Sequence, residues 1–420
     1  MQQLTAWYPQ LASFESIYAD FNLEQIRKKL QRKETLLEYF ISGGDVQGRR
    51  QLYGFAVNTK VCHFYQVTID SSFSHHVEVI LSKLHGFDPY TESQGDYNLL
   101  KSALFEVYRI AFQPLESKIA GKSIIIVPDE KLAYIPFDAL ITRRDLTPTR
   151  NYAGLPYLLH EYDISYLHNT QLLQHNRRVK GRFPSVKAWI PGNEALGQSN
   201  MPALEGAEME VNGILNLFKG KRIQHSPDKK KITEEFLSRD VLHLALHSLA
   251  IENEDQSPYF ILGPAYDSLD SNRLHDYEIN ALSLTSPMVV LSSCESAGGN
   301  LQSGEGIKSL SRSFLLGGAE SVVHTLWPLE DKKGKEVIIG YYEELKKGKS
   351  KSIALSMAKR QYLQSNPNAT THPYYWATFQ VNGDPAPLGK RGRMLILSFM
   401  LIVLAWGSYF LIRRSFFSRD

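Results

Sequence analysis

The stretch that decides the fold runs from Pro287 to Gly299 and reads PMVVLSSCESAGG. Met288, Val289, Val290 and Leu291 have the length and β-branched content of a buried strand. Ser296, Gly298, Gly299, Gly304 and Gly306 then mark an irregular loop. In an open α/β sheet, ligands bind outside the carboxyl ends of the strands, where such loops begin. Cys294 stands at one of these ends. A second apolar run, Val241–His247 (VLHLALH), carries a histidine to its own carboxyl end, 47 residues before the cysteine. If the two strands are neighbours, about 4.8 Å of sheet separates them and both side chains can face one cleft. On these residues alone, Cys294 reads equally well as a buried strand-end thiol.

Working outward, strands are expected at Ser123–Val127 (SIIIV), Tyr162–Asn169, Ser185–Gly192, Glu320–Trp327 and Tyr375–Val381. Between them lie helical patterns at 203–220, closed by Gly220, and at 228–239. Another places Ile307, Leu310, Phe314 and Leu315 on one face, and two more cover 332–347 and 351–363. Strands alternating with helices predict an α/β fold, a mostly parallel sheet with helices on both faces. Ahead of it, residues 1–34 look helical, with Asn22 as N-cap and Leu23, Ile26 and Leu30 at helical spacing. Residues 35–69 read as a small antiparallel β-meander, and 73–120 as helical again.

A chain of 420 residues has ample length for a real core. Charged residues make up 22% and the net charge is +3, too small to argue for nucleic acid, and no basic run is interleaved with aromatics. Two cysteines, Cys62 and Cys294, exclude a disulfide framework and a Cys-rich zinc site and fit a reducing compartment. Residues 1–20 lack the basic start and apolar core of an export signal. Met394–Ile412 is a 19-residue run without a charge, flanked by Lys390, Arg391 and Arg393 and by Arg413 and Arg414. That length spans the hydrocarbon core of a bilayer, so a C-terminal membrane anchor with the large domain in the cytoplasm is expected. Basic residues on both sides leave the orientation undecided by charge.

The order VLHLALHS, LTSPMVVLSSCESAGG, SGEGIKSLSRSFLLGGAESVVHTLWPLED and HPYYWATFQVNGDP resembles the CHAT peptidase family. That family is a caspase-like branch of the cysteine peptidases, often found beside tetratricopeptide repeats, which are not visible in this chain. KSIIIVPDEKLAYIPFDAL and LPYLLHEYDISYL extend the likeness upstream. A His about 50 residues before the Cys is also the caspase-type spacing. The resemblance implies a caspase-hemoglobinase fold over 100–386, preceded by the helix and β-meander region 1–99. A basic linker (387–393), the membrane helix (394–412) and a tail (413–420) follow. It implies His247 and Cys294 as a catalytic dyad, with His243 the family's first, non-catalytic histidine. The oxyanion donors would be the backbone N–H groups of Cys294 and Ser248. The family usually has glycine where this chain has Ser248, and a position requiring φ > 0 would strain a serine.

Other residues receive plainer readings. Cys62 adjoins His63, but neighbouring strand residues point to opposite faces, so Cys62 is read as structural. HLALH has the two-histidine spacing of a zincin, yet Leu244 stands where the glutamate is needed. His75, His76 and His85 have no partner at metal spacing, so neither metal nor cofactor is expected. Glu305 reads equally as a solvated loop acid or a pocket residue, and His324 as structural. Glu330 and Asp331, just past a strand end, are candidates for a pocket acid that attracts a basic substrate side chain. They equally suit the start of the next helix. Two functions follow: a membrane-anchored cysteine endopeptidase, latent until a partner arranges its loops and acting on protein or peptide, or a catalytically weak domain serving as a tethered signalling scaffold.

Overall fold

The computed structural model describes residues 22–45, 49–147, 149–175, 183–190, 205–224, 229–249, 257–262, 272–292, 301–302, 306–307, 309–327, 329, 331–366 and 371–389. In chain order the strands are β1 (Glu34–Ile41), β2 (Arg50–Val57), β3 (Cys62–Ile69), β4 (Ser123–Val127), β5 (Asp163–Tyr166) and β6 (Val186–Ile190). They continue as β7 (Gly220–Gln224), β8 (Val241–Leu244), β9 (Ser248–Leu249), β10 (Tyr259–Ile261) and β11 (Arg273–His275). The last are β12 (Val289–Leu291), β13 (Leu301–Gln302), β14 (Gly306–Ile307), β15 (Ser321–Thr325) and β16 (Phe379–Gly383). Eleven of them form one sheet in the order β3-β2-β1-β4-β5-β16-β15-β12-β8-β6-β7. The meander β1–β3 and the pair β15–β16 are antiparallel, and the remaining pairings are parallel.

The helices are α1 (Leu23–Lys29), α2 (Ser71–His85), α3 (Gln94–Val107), α4 (Gln113–Glu116), α5 (Glu205–Leu217) and α6 (Lys229–Phe236). α7 (Asp276–Asn280), α8 (Leu310–Leu316), α9 (Asp331–Lys346), α10 (Lys351–Ser365) and α11 (Pro373–Trp376) complete them. Successive residues of the central strands feed two different cores. Val241, Val290 and Val323 pack with Ile214 of α5, with Val337, Ile338 and Tyr341 of α9, and with Leu355 of α10. Leu242, Leu244, Val289, Leu291 and Val322 pack on the other face with Ile232, Phe236, Ile279, Leu310 and Phe314 of α6, α7 and α8. A strand covered on both sides reads as a near-continuous apolar run, which is why VVL shows no polar alternation and VLHL carries one polar residue, His243.

The structure departs from the sequence expectation in several places. Gly220 does not close α5 but opens β7, where a Cβ would run into the Val186 carbonyl of the neighbouring strand. A small sheet, β11-β10-β9, follows the histidine strand and was not anticipated. Tyr375 lies in α11, and the last strand starts at Phe379. The meander is continuous with the large sheet, because β1 pairs in parallel with β4. Residues 1–21 and 390–420 lie outside the described residues, and with them most of the expected N-terminal helix and the whole 394–412 segment. Among the described residues no helix is long and apolar enough to cross a membrane.

Candidate active site

The site is built by two adjacent strands. β8 and β12 pair in parallel, with Leu242 opposite Val289, His243 opposite Val290 and Leu244 opposite Leu291. The ladder runs one residue further: the Ser292 N–H donates to the Leu244 carbonyl at 3.0 Å, and the Ala245 N–H to Trp189 of β6 at 3.0 Å. His247 stands three residues beyond Leu244, and Cys294 three residues beyond Leu291. In sequence the two residues therefore follow one paired position, Leu244–Leu291, at equal offsets. His247 is half-buried. Cys294 itself lies outside the described residues.

The chain next to His247 is fixed by the small sheet. The Ile261 N–H donates to the His247 carbonyl at 2.9 Å. In the antiparallel register Ser248 faces Phe260. That bond makes the Ser248–Phe260 pair a non-hydrogen-bonded one, so the Ser248 N–H points to the outer edge of β9, away from β10. Among the described residues Glu130 is the single non-glycine residue with positive φ. Ser248 therefore sits in ordinary backbone, and the strain expected of a serine in a glycine position is absent.

Within β8, His243 is fully buried. Its Nε2 lies 3.0 Å from the Glu210 carboxylate of α5, and its Nδ1 is 3.3 Å from the Tyr342 hydroxyl of α9. This polar contact joins the root of β8 to two helices. It has no sulfur or acidic third ligand, and the described residues hold no group of three His, Cys, Asp or Glu fit for a metal.

One strand further along, His324 of β15 lies opposite Gln380 of β16. The Asn382 amide donates to its Nε2 at 2.5 Å, leaving Nδ1–H toward the Thr325 carbonyl at 3.4 Å. His168, Ser309, Ser311 and Gln380 line the same small cavity. Burial disfavours the imidazolium and holds His324 near 4 and His168 near 3, below the ordinary 6.5. The fold thus takes both rings neutral, whereas the unfolded chain protonates them near 6.5. Their contribution to stability is complete above that value and is lost as pH falls toward 4. For His324 alone the loss is about 3 kcal/mol. Urea midpoints should decline between pH 6.5 and 4, less steeply in His324→Gln; an identical slope in that variant would remove His324 as a source.

Of the other residues singled out, Asp331 is the first residue of α9, the helix-start position, and Glu330 and Glu305 lie outside the described residues. Cys62 is exposed on β3, and partial burial pushes its thiol up, away from the thiolate a nucleophile needs. The small sheet β9–β11 is the element beside His247 that the sequence reading missed. Its strands of two or three residues are too short for periodicity, and Tyr259–Ile261 is a continuous apolar run with no alternation.

The CHAT domain family profile matches residues 101–384, more than half of the chain. Tetratricopeptide repeat protein 28 of Mus musculus is 32% identical over 114 residues, 27% of this chain. The Homo sapiens protein is 31% identical over the same length. Each match spans 4% of the relative, so the chain corresponds to a small part of those proteins. In structure the chain is similar to the Saccharomyces cerevisiae separase–securin complex, with a TM-score of 0.51 at 10% identity over 86% of this chain and 31% of that one. At that identity the likeness speaks for the fold, a caspase-like α/β sheet. Matched over so much of its length, this chain belongs to the CHAT domain family.

Proposed function

We propose that the chain is a cysteine endopeptidase that cleaves peptide bonds through a His247–Cys294 dyad. The observation that supports this is the shared offset of the two residues beyond the paired position Leu244–Leu291 on adjacent parallel strands. The Cys294 thiolate would attack the scissile carbonyl carbon, forming a C–S bond and a tetrahedral oxyanion. The backbone N–H groups of Ser248 and Cys294 would stabilise that oxyanion. His247 would then give a proton to the leaving amine as the C–N bond breaks, and afterwards take one from the water that releases the acyl group. The substrate is a protein or peptide. Glu330 and Asp331 are the candidates for an acidic pocket, and 394–412 for the membrane anchor that holds the domain at a cytoplasmic surface, with a protein partner as activator.

The test is the alkylation rate of Cys294 against pH in a Cys62→Ala background, with His247 intact or replaced by alanine. A free thiol titrates near about 8.5. The expected midpoint lies well below that and rises when His247 is removed. An inert thiol indifferent to His247 would favour the scaffold reading instead.

A further inference from the structure

The small sheet continues from His247 as a cross-strand row of side chains. β9 and β10 pair with Ser248 opposite Phe260, and β10 and β11 with Phe260 opposite Leu274 and Ile261 opposite Arg273. Carried one residue further, the first register sets His247 opposite Ile261, whose N–H donates to the His247 carbonyl at 2.9 Å. Residues opposed across an antiparallel ladder share a face, and successive residues alternate between faces. Phe260 and Leu274 are buried in the core with Phe314 of α8, which makes theirs the inner face. The outer face therefore carries His247, Ile261 and Arg273 in one row, with Tyr259 and His275 in the next. Ile261 and His275 are half-buried and Arg273 is exposed.

We propose that this face binds the leaving-group side of a peptide substrate, with Arg273 receiving an acidic side chain two or three residues after the cut. The Arg273 guanidinium lies 4.7 Å over the Tyr259 ring. A guanidinium held against an aromatic face keeps its in-plane N–H fork for a carboxylate, which it binds bidentately. His275 packs on Tyr259 at 5.2 Å between ring centroids and stacks on Tyr277 at 5.1 Å, so an aromatic wall borders the arginine. The orientation of the substrate rests on the dyad reading. A general acid stands beside the amine that departs, so the chain continuing from that amine is the part nearest His247. Two strand spacings, about 10 Å, separate His247 from Arg273. An extended peptide covers about 3.4 Å per residue, which brings its second or third residue after the scissile bond to the guanidinium. Between the two, Ile261 supplies a half-buried apolar floor.

The probes are two mixed-sequence dodecapeptide pools, one containing glutamate and no lysine, the other lysine and no glutamate. Binding is read by affinity selection on the full chain with Cys294→Ala in a neutral detergent. The glutamate pool should be retained at least ~10-fold more strongly, and Arg273→Glu should reverse the order with an unchanged urea midpoint. Arg49→Glu makes the same charge change just before β2, at the far end of the strand order, and should leave the order as in the parent. Cleavage by the unaltered chain, mapped by mass spectrometry, should place glutamate at the second or third residue after the cut. Equal retention of the two pools, or a reversal that Arg49→Glu also produces, would overturn the proposal. Glutamate enriched before the cut would overturn it too. A glutamate preference that Arg273→Glu abolishes, in a chain that cleaves nothing, would count against the dyad and keep Arg273 as the residue that binds the peptide carboxylate.

Discussion

Replacing Cys294 with alanine should lower peptide-bond cleavage by more than ~10³-fold and leave the urea midpoint essentially unchanged. The loss is large because the substitution removes the atom that would form the covalent bond in the proposed mechanism, whereas the strand before it ends at Leu291 and keeps its packing. His247→Ala should fall to a similar level, since the thiol would lose its base and the leaving amine its acid. In the proposed mechanism the two residues act as one unit, so the double variant should be no slower than either single one. Cys62→Ala is the control. Its exposed, upward-shifted thiol sits on the outer strand of the sheet, far across the strand order from β12, and the rate should not change. The readout is turnover of a mixed-sequence peptide library by mass spectrometry. Cleavage that persists in Cys294→Ala would assign the nucleophile elsewhere.

Much of this arrangement was legible in the sequence because the decisive strands are buried on both faces. VVL is an unbroken apolar run and VLHL is apolar but for His243, and the structure makes each of them a central parallel strand. Length and β-branching identified them; which strands are neighbours did not follow from either property. Between β8 and β12 the chain passes through the small sheet and α7, a stretch that left no periodic trace. Gly220 shows the opposite failure. A glycine after an amphipathic run has the signature of a helix end, yet here its missing side chain admits the Val186 carbonyl and starts β7. Asp331 stands at the head of α9, and one acid serves a helix start or a pocket equally well by composition. The concern over Ser248 could be resolved only by a backbone angle.

The second large effect concerns how the two halves of the sheet hold together. Lys359 of α10 donates to the Asp138 carboxylate, which sits in the turn Phe137–Ala139 behind the N-terminal strands. The side chains are 2% and 9% exposed, and the Lys359 ammonium also donates to the Phe379 carbonyl of β16 at 2.7 Å. The neighbouring Arg360 donates to the carbonyls of Leu159 at 2.6 Å and Tyr162 at 3.0 Å, beside β5. α10 thus bridges the sheet where β5 meets β16, a pairing that rests on a single register position, Tyr166 opposite Asn382. Burial raises the Asp138 carboxyl and lowers the Lys359 ammonium, while each charge opposes the shift of the other. A buried pair of this kind adds little net stability over an apolar pair, but removing one partner strands the other charge. Lys359→Met should therefore destabilise by ~3–5 kcal/mol. The double variant Lys359→Met, Asp138→Leu should recover most of that loss, short of the ~1 kcal/mol for the hydrogen bond to Phe379. Urea denaturation of the three chains reads both numbers, and a double variant as unstable as Lys359→Met would mean that packing at this junction, rather than the stranded carboxylate, sets the cost.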